Sequence, residues 1–455
     1  MGEAKNRGTY EDRKLKAITN KVDLLTKEMV DMNDPNMYFL KQGYEFLKNA
    51  LHPDDWNTRR AKIIDYLKSR PTNYAEKNAR VRFKEDEITW YIFLCEEFFK
   101  FPLISNPSQM ARISPLIIRL GSHVNLLKQV ENIDKKLKEL VKKYRNNPDG
   151  VLFELIVAAS YLDQGYEVKF IEESAQQKKP DLFICKGDEK YYIECKRLQQ
   201  RTDYADKERG LFLESWTDIK CFLLENFPNF WFDINIKCEL VDNNKLELMS
   251  KFSQLNPRNN RISYSDDEID MVGERQNIEK INKYLSRNYV KCESYVFAKL
   301  LGDNLVYGFC ERTYDVEFHP YIISLASAPI MGMMVGKINK FIGVTRHFTN
   351  SESMSKKSRE IKRHVSEAIT QLEEYKPSIV HVLYEAMEDA IVENLRWSKI
   401  EEKMKELESG LDVNTSVKVH RLQYYESEKL FDICETIKVW GRELQFKPFV
   451  IIPNT

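Results

Sequence analysis

The stretch that most constrains this chain is residues 180–197, PDLFICKGDEKYYIECKR. Two apolar runs flank Gly187-Asp188, and a two-residue loop with glycine first suits a type II′ hairpin turn. That loop sets Lys186 opposite Glu189, and counting back along both strands sets Asp181 opposite Glu194. Side chains alternate across a strand, so Glu194 and Lys196 share one face while Ile193 and Cys195 share the other. Directly opposed side chains lie with their Cβ atoms about 5 Å apart. Two carboxylates at that separation repel unless a cation sits between them.

Hard oxygen ligands so placed suit Mg²⁺ or Mn²⁺, which need one or two carboxylates plus water and substrate phosphate. Lys196, on the same face, would stabilise an attacking hydroxide or the charge growing on a phosphate. The pattern is one for metal-assisted phosphodiester hydrolysis. A plainer reading stands beside it: an exposed strand face carrying Glu and Lys as cross-strand pairs, or a longer loop that shifts the register. Glu154 adds to the first reading. It is the only charged residue of VLFELIVAASYL (151–162), a helix apolar nearly all round and therefore buried. A buried carboxylate needs a partner. That partner is a nearby Arg or Tyr on one reading, and the metal or its waters on the other.

Along the chain, residues 1–148 read as helical, with RKLKAITNKVDLLTKEMV, ITWYIFLCEEFFKF and LIIRLGSHVNLLKQVENIDKKLKELVKKYR carrying apolar residues at helical spacing. This region is open to dimerisation, partner docking or target reading. Residues 149–245 read as an α/β core in the order helix, strand, strand, strand, helix, strand, with FWFDINIKCEL (230–240) as its last strand. Residues 246–290 read as a polar linker or insertion. In 291–455 strand-like segments return at SYVFAKLL, LVYGFCER, FHPYIISLA, SIVHVLYEA, SVKVHRLQYY and FKPFVIIP, with helices near 355–375 and 388–408. That α/β half either forms a second domain or extends the first sheet.

Glu154 in a helix, Pro180-Asp181 opening a strand, and Glu194-Cys195-Lys196 on the next strand together resemble the PD-(D/E)xK nuclease superfamily. The resemblance covers residues 149–240, about a fifth of the chain. It implies the restriction-endonuclease-like fold, with an αβββαβ core. It also implies that Asp181 and Glu194 bind divalent metal, that Lys196 assists the attacking water and that Glu154 is an auxiliary acid. Gln200 and Tyr204 reproduce a QxxxY spacing of the RecB-like branch, but they follow the lysine closely and are read as incidental. The expectation is a Mg²⁺- or Mn²⁺-dependent endonuclease or exonuclease acting on nucleic acid, DNA in the first instance, in bacterial antiviral defence or repair. Two alternatives remain: a catalytically inactive nucleic-acid-binding module on the same fold, and a helical interaction scaffold.

Lys plus Arg equals Asp plus Glu at 70 each, so any surface for nucleic acid must be local. Arg197, Arg201 and Lys207 follow the site strand. Lys356, Arg359 and Arg363 form a basic stripe on a helix whose other face carries Ile361, Val365, Ala368 and Leu372; such a stripe tracks phosphates or is a solvated face. GMMVGK (332–337) lacks the spacing and the Ser or Thr of a P-loop. The polar N-terminus, eight scattered cysteines without a CxxC pair, and the lack of a long apolar run predict a reducing cytoplasm and no membrane partner.

Overall fold

The computed structural model describes residues 31–69, 83–100, 107–172, 178–198, 203–242, 245–288, 290–291, 294–302, 314–324, 333–386, 390–424, 433–442 and 450. Among the described residues seven α-helices precede the first strand: α1 (Pro35–Lys48), α2 (Pro53–Ser69), α3 (Glu87–Lys100), α4 (Pro107–Ser122), α5 (Val124–Leu127), α6 (Ile133–Lys142) and α7 (Asp149–Asp163). Strands β1 (Glu167–Phe170), β2 (Leu182–Lys186) and β3 (Glu189–Arg197) follow. Next come α8 (Asp203–Asn226), β4 (Phe230–Ile236), α9 (Leu248–Phe252), β5 (Arg261–Ser265), β6 (Ile269–Arg275), α10 (Ile278–Leu285), α11 (Tyr295–Leu301), β7 (Tyr314–Ser324) and β8 (Met333–Phe348). The chain continues through α12 (Ser351–Gln371), β9 (Ser378–Glu385), α13 (Ala390–Glu408), β10 (Thr415–Tyr424) and β11 (Ile433–Gly441).

Two mixed sheets result. The first has the order β1-β2-β3-β9-β10-β11, with β3, β9 and β10 mutually parallel and the outer pairs antiparallel. One face packs on the N-terminal helices through a single core that joins Trp90, Phe93, Ile117 and Leu155 to Ile184, Ile193 and Ile379. The other face packs on α12 and α13, where Val365, Leu372, Ile400 and Met404 meet Val380, Val382, Val417 and Val419. The second sheet has the order β5-β6-β4-β8-β7. Phe212 and Trp216 of α8 cover one of its faces against Phe232 and Ile234. Residues of α10 and α11 cover part of the other, around Trp231 and Phe341.

Several expectations change. Strand β4 pairs with β6 and β8, so it belongs to the second sheet and does not complete the first. The strand beside β3 is β9, buried at every residue, as a central strand covered on both faces must be. Residues 203–348 are thus a second-sheet unit inserted between β3 and α12, and the boundary at 245 does not close the core. Of the two readings of 246–290, linker or insertion, the stretch follows the second: it holds α9, β5, β6 and α10 and is part of that inserted unit. SYVFAKLL is a helix. Ser294 caps it by accepting from Phe297 N–H at 3.2 Å, and Gly302 ends it at φ 121°, so capping outweighs the strand preference of its aromatic and β-branched residues. The described N-terminal helices share the core of the first sheet and do not stand apart from it. Of the alternatives for the C-terminal half, β9, β10 and β11 extend the first sheet. The segments RKLKAITNKVDLLTKEMV, LVYGFCER and, but for Val450, FKPFVIIP lie outside the described residues.

Candidate active site

The hairpin has the register that its turn demands. Lys186 pairs with Glu189 and Leu182 with Ile193, so Asp181, one residue before β2, stands opposite Glu194. Gly187 has φ 60° while Asp188 keeps a negative φ, as a type II′ turn requires. Leu182, Ile184 and Ile193 enter the core beneath the N-terminal helices. On the opposite face Phe183 packs at a tilt against Tyr192 at 5.3 Å between ring centroids, and Tyr192 meets Tyr375 at 5.2 Å. Asp181, Glu194 and Lys196 continue that second face by strand alternation.

Each group is held. The Cys195 backbone N–H donates to Asp181 Oδ2 at 2.7 Å. Lys196 Nζ donates to Glu194 Oε1 at 2.5 Å and to Gln371 Oε1 at 3.2 Å. The Gln371 amide, at the end of α12, donates in turn to Glu194 Oε2 at 2.8 Å and to the Lys179 carbonyl at 2.7 Å. Gln371 therefore uses both ends of its amide to tie acid and lysine together.

The electrostatics are those of crowded acids. Burial first, and then Glu194, push the Asp181 carboxyl up to about 7 against the pull of the Cys195 N–H and of Lys136 and Lys196. Glu194 is only 2 % exposed, and burial pushes its carboxyl up to about 6, with Glu154 adding and Lys196 and Gln371 opposing. Burial works against the charge on Lys196, yet Glu194 and Asp181 outweigh it and leave the ammonium more basic than usual.

Glu154 sits on α7 close enough to raise Glu194. Lys136 Nζ of α6 lies 2.7 Å from Glu154 Oε2. Lys136 is 5 % exposed and also acts on Asp181. Sequence reading missed it because Lys136 stands among other charged residues in KKLKELVKK, where no local signal separates a buried lysine from its solvated neighbours. Gln371 had a signal. The QxxxY spacing recurs at Gln371 and Tyr375, and these are the residues beside the site, whereas the hydroxyl of Tyr204 donates to Glu239 at 2.8 Å. Gln200 lies outside the described residues.

The expected phosphate contacts divide. The Arg197 side chain is 5 % exposed and its guanidinium is taken by Glu385 and Asp149, so it is an internal strut and not a surface contact. Arg201 lies outside the described residues. Lys207 pairs with Asp242 at 2.5 Å. On α12, Lys356 pairs with Glu239 at 2.5 Å, Arg359 is exposed, and Arg363 is exposed and bonded to Glu367 at 2.6 Å. Glu367 in turn feels Lys196, so the stripe that includes Arg363 leads toward the site.

Among the described residues, no three Asp, Glu, His or Cys side chains converge tightly enough to cage a metal ion. The hairpin sets two carboxylates, Asp181 and Glu194, opposite each other. Their donor chemistry fits Mg²⁺ or Mn²⁺, which take one or two carboxylates and complete their shells with water and phosphate. Comparison of the chain with protein-family models, curated proteins and solved structures returned no match. No helix among the described residues is long and apolar enough to cross a membrane.

Proposed function

We propose that the protein is a metal-dependent nuclease that hydrolyses phosphodiester bonds of nucleic acid, DNA in the first instance, on a restriction-endonuclease-like core. One observation carries the reading: Asp181 stands opposite Glu194 across the hairpin, with the Lys196 ammonium bonded beside them. The element order α7-β1-β2-β3-α12-β9 supports it, since it reproduces the αβββαβ sequence with a second-sheet unit between β3 and α12.

Asp181 and Glu194 would hold a divalent ion, which supplies Lewis-acid activation of water and charge relief on the phosphate. Lys196 would sit beside the attacking oxygen and stabilise negative charge there. Gln371 keeps the Lys196 ammonium from swinging away, and the Cys195 N–H holds one Asp181 oxygen so that the other faces the site. The α12 stripe would meet backbone phosphates. Arg363 stands about 12 Å and Arg359 about 18 Å from Gln371 along a helix that rises 1.5 Å per residue. Salt-sensitive binding is the expected consequence. A role in defence or repair follows only by analogy with the family.

The test is incubation with single-stranded, duplex and branched DNA and with RNA, in Mg²⁺ or Mn²⁺. Cleavage by the wild type that Glu194→Ala and Lys196→Ala abolish, with binding retained in Lys196→Ala, supports the enzyme. Binding without cleavage across all metals and substrates overturns it in favour of an inactive module. A second readout is thermal: Mg²⁺ should raise the wild-type Tm, and Asp181→Asn should abolish the rise.

A further inference from the structure

We propose that the site takes a single divalent ion and that Lys136, carried in by the N-terminal helices, occupies the place that a second ion would otherwise fill. This rests on the nuclease reading and deepens it. Asp181 and Glu194 face each other across the hairpin, and Glu154 of α7 lies near enough to raise Glu194. Two ammonium groups meet them from different elements, Lys196 of β3 on Glu194 at 2.5 Å and Lys136 of α6 on Glu154 at 2.7 Å. Lys136 is walled in. It is 5 % exposed, its Nζ lies 5.8 Å from the centroid of the Phe170 ring, and Glu139 flanks it at 3.9 Å.

A buried lysine is costly to desolvate and persists where an anion repays it. Here the anion is Glu154. Two metal ions would need Glu154 as a ligand, and a divalent ion on Glu154 would have to displace the ammonium or sit against it. Lys136 belongs to a helix remote in sequence from the motif. The N-terminal region therefore completes the electrostatics of the site as well as its core.

The experiment counts Mn²⁺ bound per chain, by electron paramagnetic resonance of the free ion, in the full-length wild type, Lys136→Met, Glu154→Gln and Asp181→Asn. The wild type should bind one ion, lost in Asp181→Asn. Lys136→Met should bind a second ion or hold the first about tenfold or more tighter, because a positive charge has left an anionic site. Glu154→Gln, which keeps the shape of the side chain, should still bind one ion, weakened by a factor comparable to the gain in Lys136→Met because the two removed charges lie 2.7 Å apart. Two ions on the wild type, an affinity in Lys136→Met equal to wild type, or a loss in Glu154→Gln as large as that in Asp181→Asn each overturn the inference and leave the nuclease reading standing. If Lys136→Met does not fold, Glu154→Gln decides alone. A wild type that binds no Mn²⁺, like Asp181→Asn, removes both.

Discussion

At the scale of single residues, what matters is how buried polar groups are matched. Gln371 holds Lys196 and Glu194 at once, so its loss should misplace the lysine without removing any charge. On the nuclease function proposed above, Gln371→Ala is expected to lower kcat by about 10- to 100-fold with a small change in KM, the size of effect that a misplaced reacting group brings; steady-state cleavage assays measure it. A second matched set lies deeper. The Tyr161 hydroxyl is 2.8 Å from His381 Nε2, His381 Nδ1 is 2.9 Å from His420 Nε2, and His420 Nδ1 is 2.8 Å from Glu435. If the Tyr161 hydroxyl donates to His381 Nε2, His381 Nδ1–H to His420 Nε2 and His420 Nδ1–H to Glu435, every donor in that row finds an acceptor. The Val450 N–H adds a bond to Glu435 at 3.0 Å. Burial, with His420 and Lys418 nearby, holds His381 well below its ordinary value. The unfolded chain therefore takes up a proton near pH 6.5 that the folded one refuses, and stability falls as pH drops below that value. The slope contributed is up to about 1.4 kcal/mol per pH unit. Urea unfolding at pH 7, 6 and 5 should show a shallower decline in His381→Gln than in the wild type.

At the scale of elements, α1 and α4 cross where each carries a glycine. A Cβ on Gly121 would overlap the Phe39 carbonyl, and one on Gly43 would overlap the Ile117 carbonyl. Since the obstacle is backbone, relief requires the helices to part. Gly121→Ala should cost about 1–3 kcal/mol or more despite alanine's better helix propensity, and the denaturant midpoint reports it. The same scale explains where sequence periodicity misled. SYVFAKLL has the composition of a strand, and the Ser294 cap and Gly302 stop make it a helix. The hairpin was legible because a two-residue glycine turn sets register locally, and register then places Asp181, Glu194 and Lys196 without reference to the rest of the chain.

At the scale of the whole molecule, a buried ionic cluster joins the helical region to the sheet. Arg112 of α4 bonds Glu385 of β9 at 3.2 Å and reaches Asp149 of α7 and Tyr91 of α3, while Arg197 of β3 joins Glu385. Removing one partner leaves uncompensated charge in the interior. Arg112→Met is therefore expected to destabilise the fold by about 3–5 kcal/mol, read by chemical denaturation. A fragment beginning at residue 149 should fail to fold by circular dichroism, because α1, α3, α4 and α6 supply one wall of the core against β1–β3. Survival of that fragment as a cooperative unit would show the helical region to be a separate domain.

Local chemistry in the chain was enough to determine the hairpin, its turn type and the side on which its acids and lysine lie. It also determined that Glu154 needed a partner. These are consequences of alternation, turn geometry and the cost of a buried charge, all of which act over a few residues. Tertiary structure alone decided that β9 and not β4 lies beside β3, that Arg197 turns inward to Glu385, and that Lys136 and Gln371 arrive at the site from helices on either side of it. Parallel pairing and ion-pair choice depend on which buried surfaces meet across hundreds of residues, and no local pattern records that meeting.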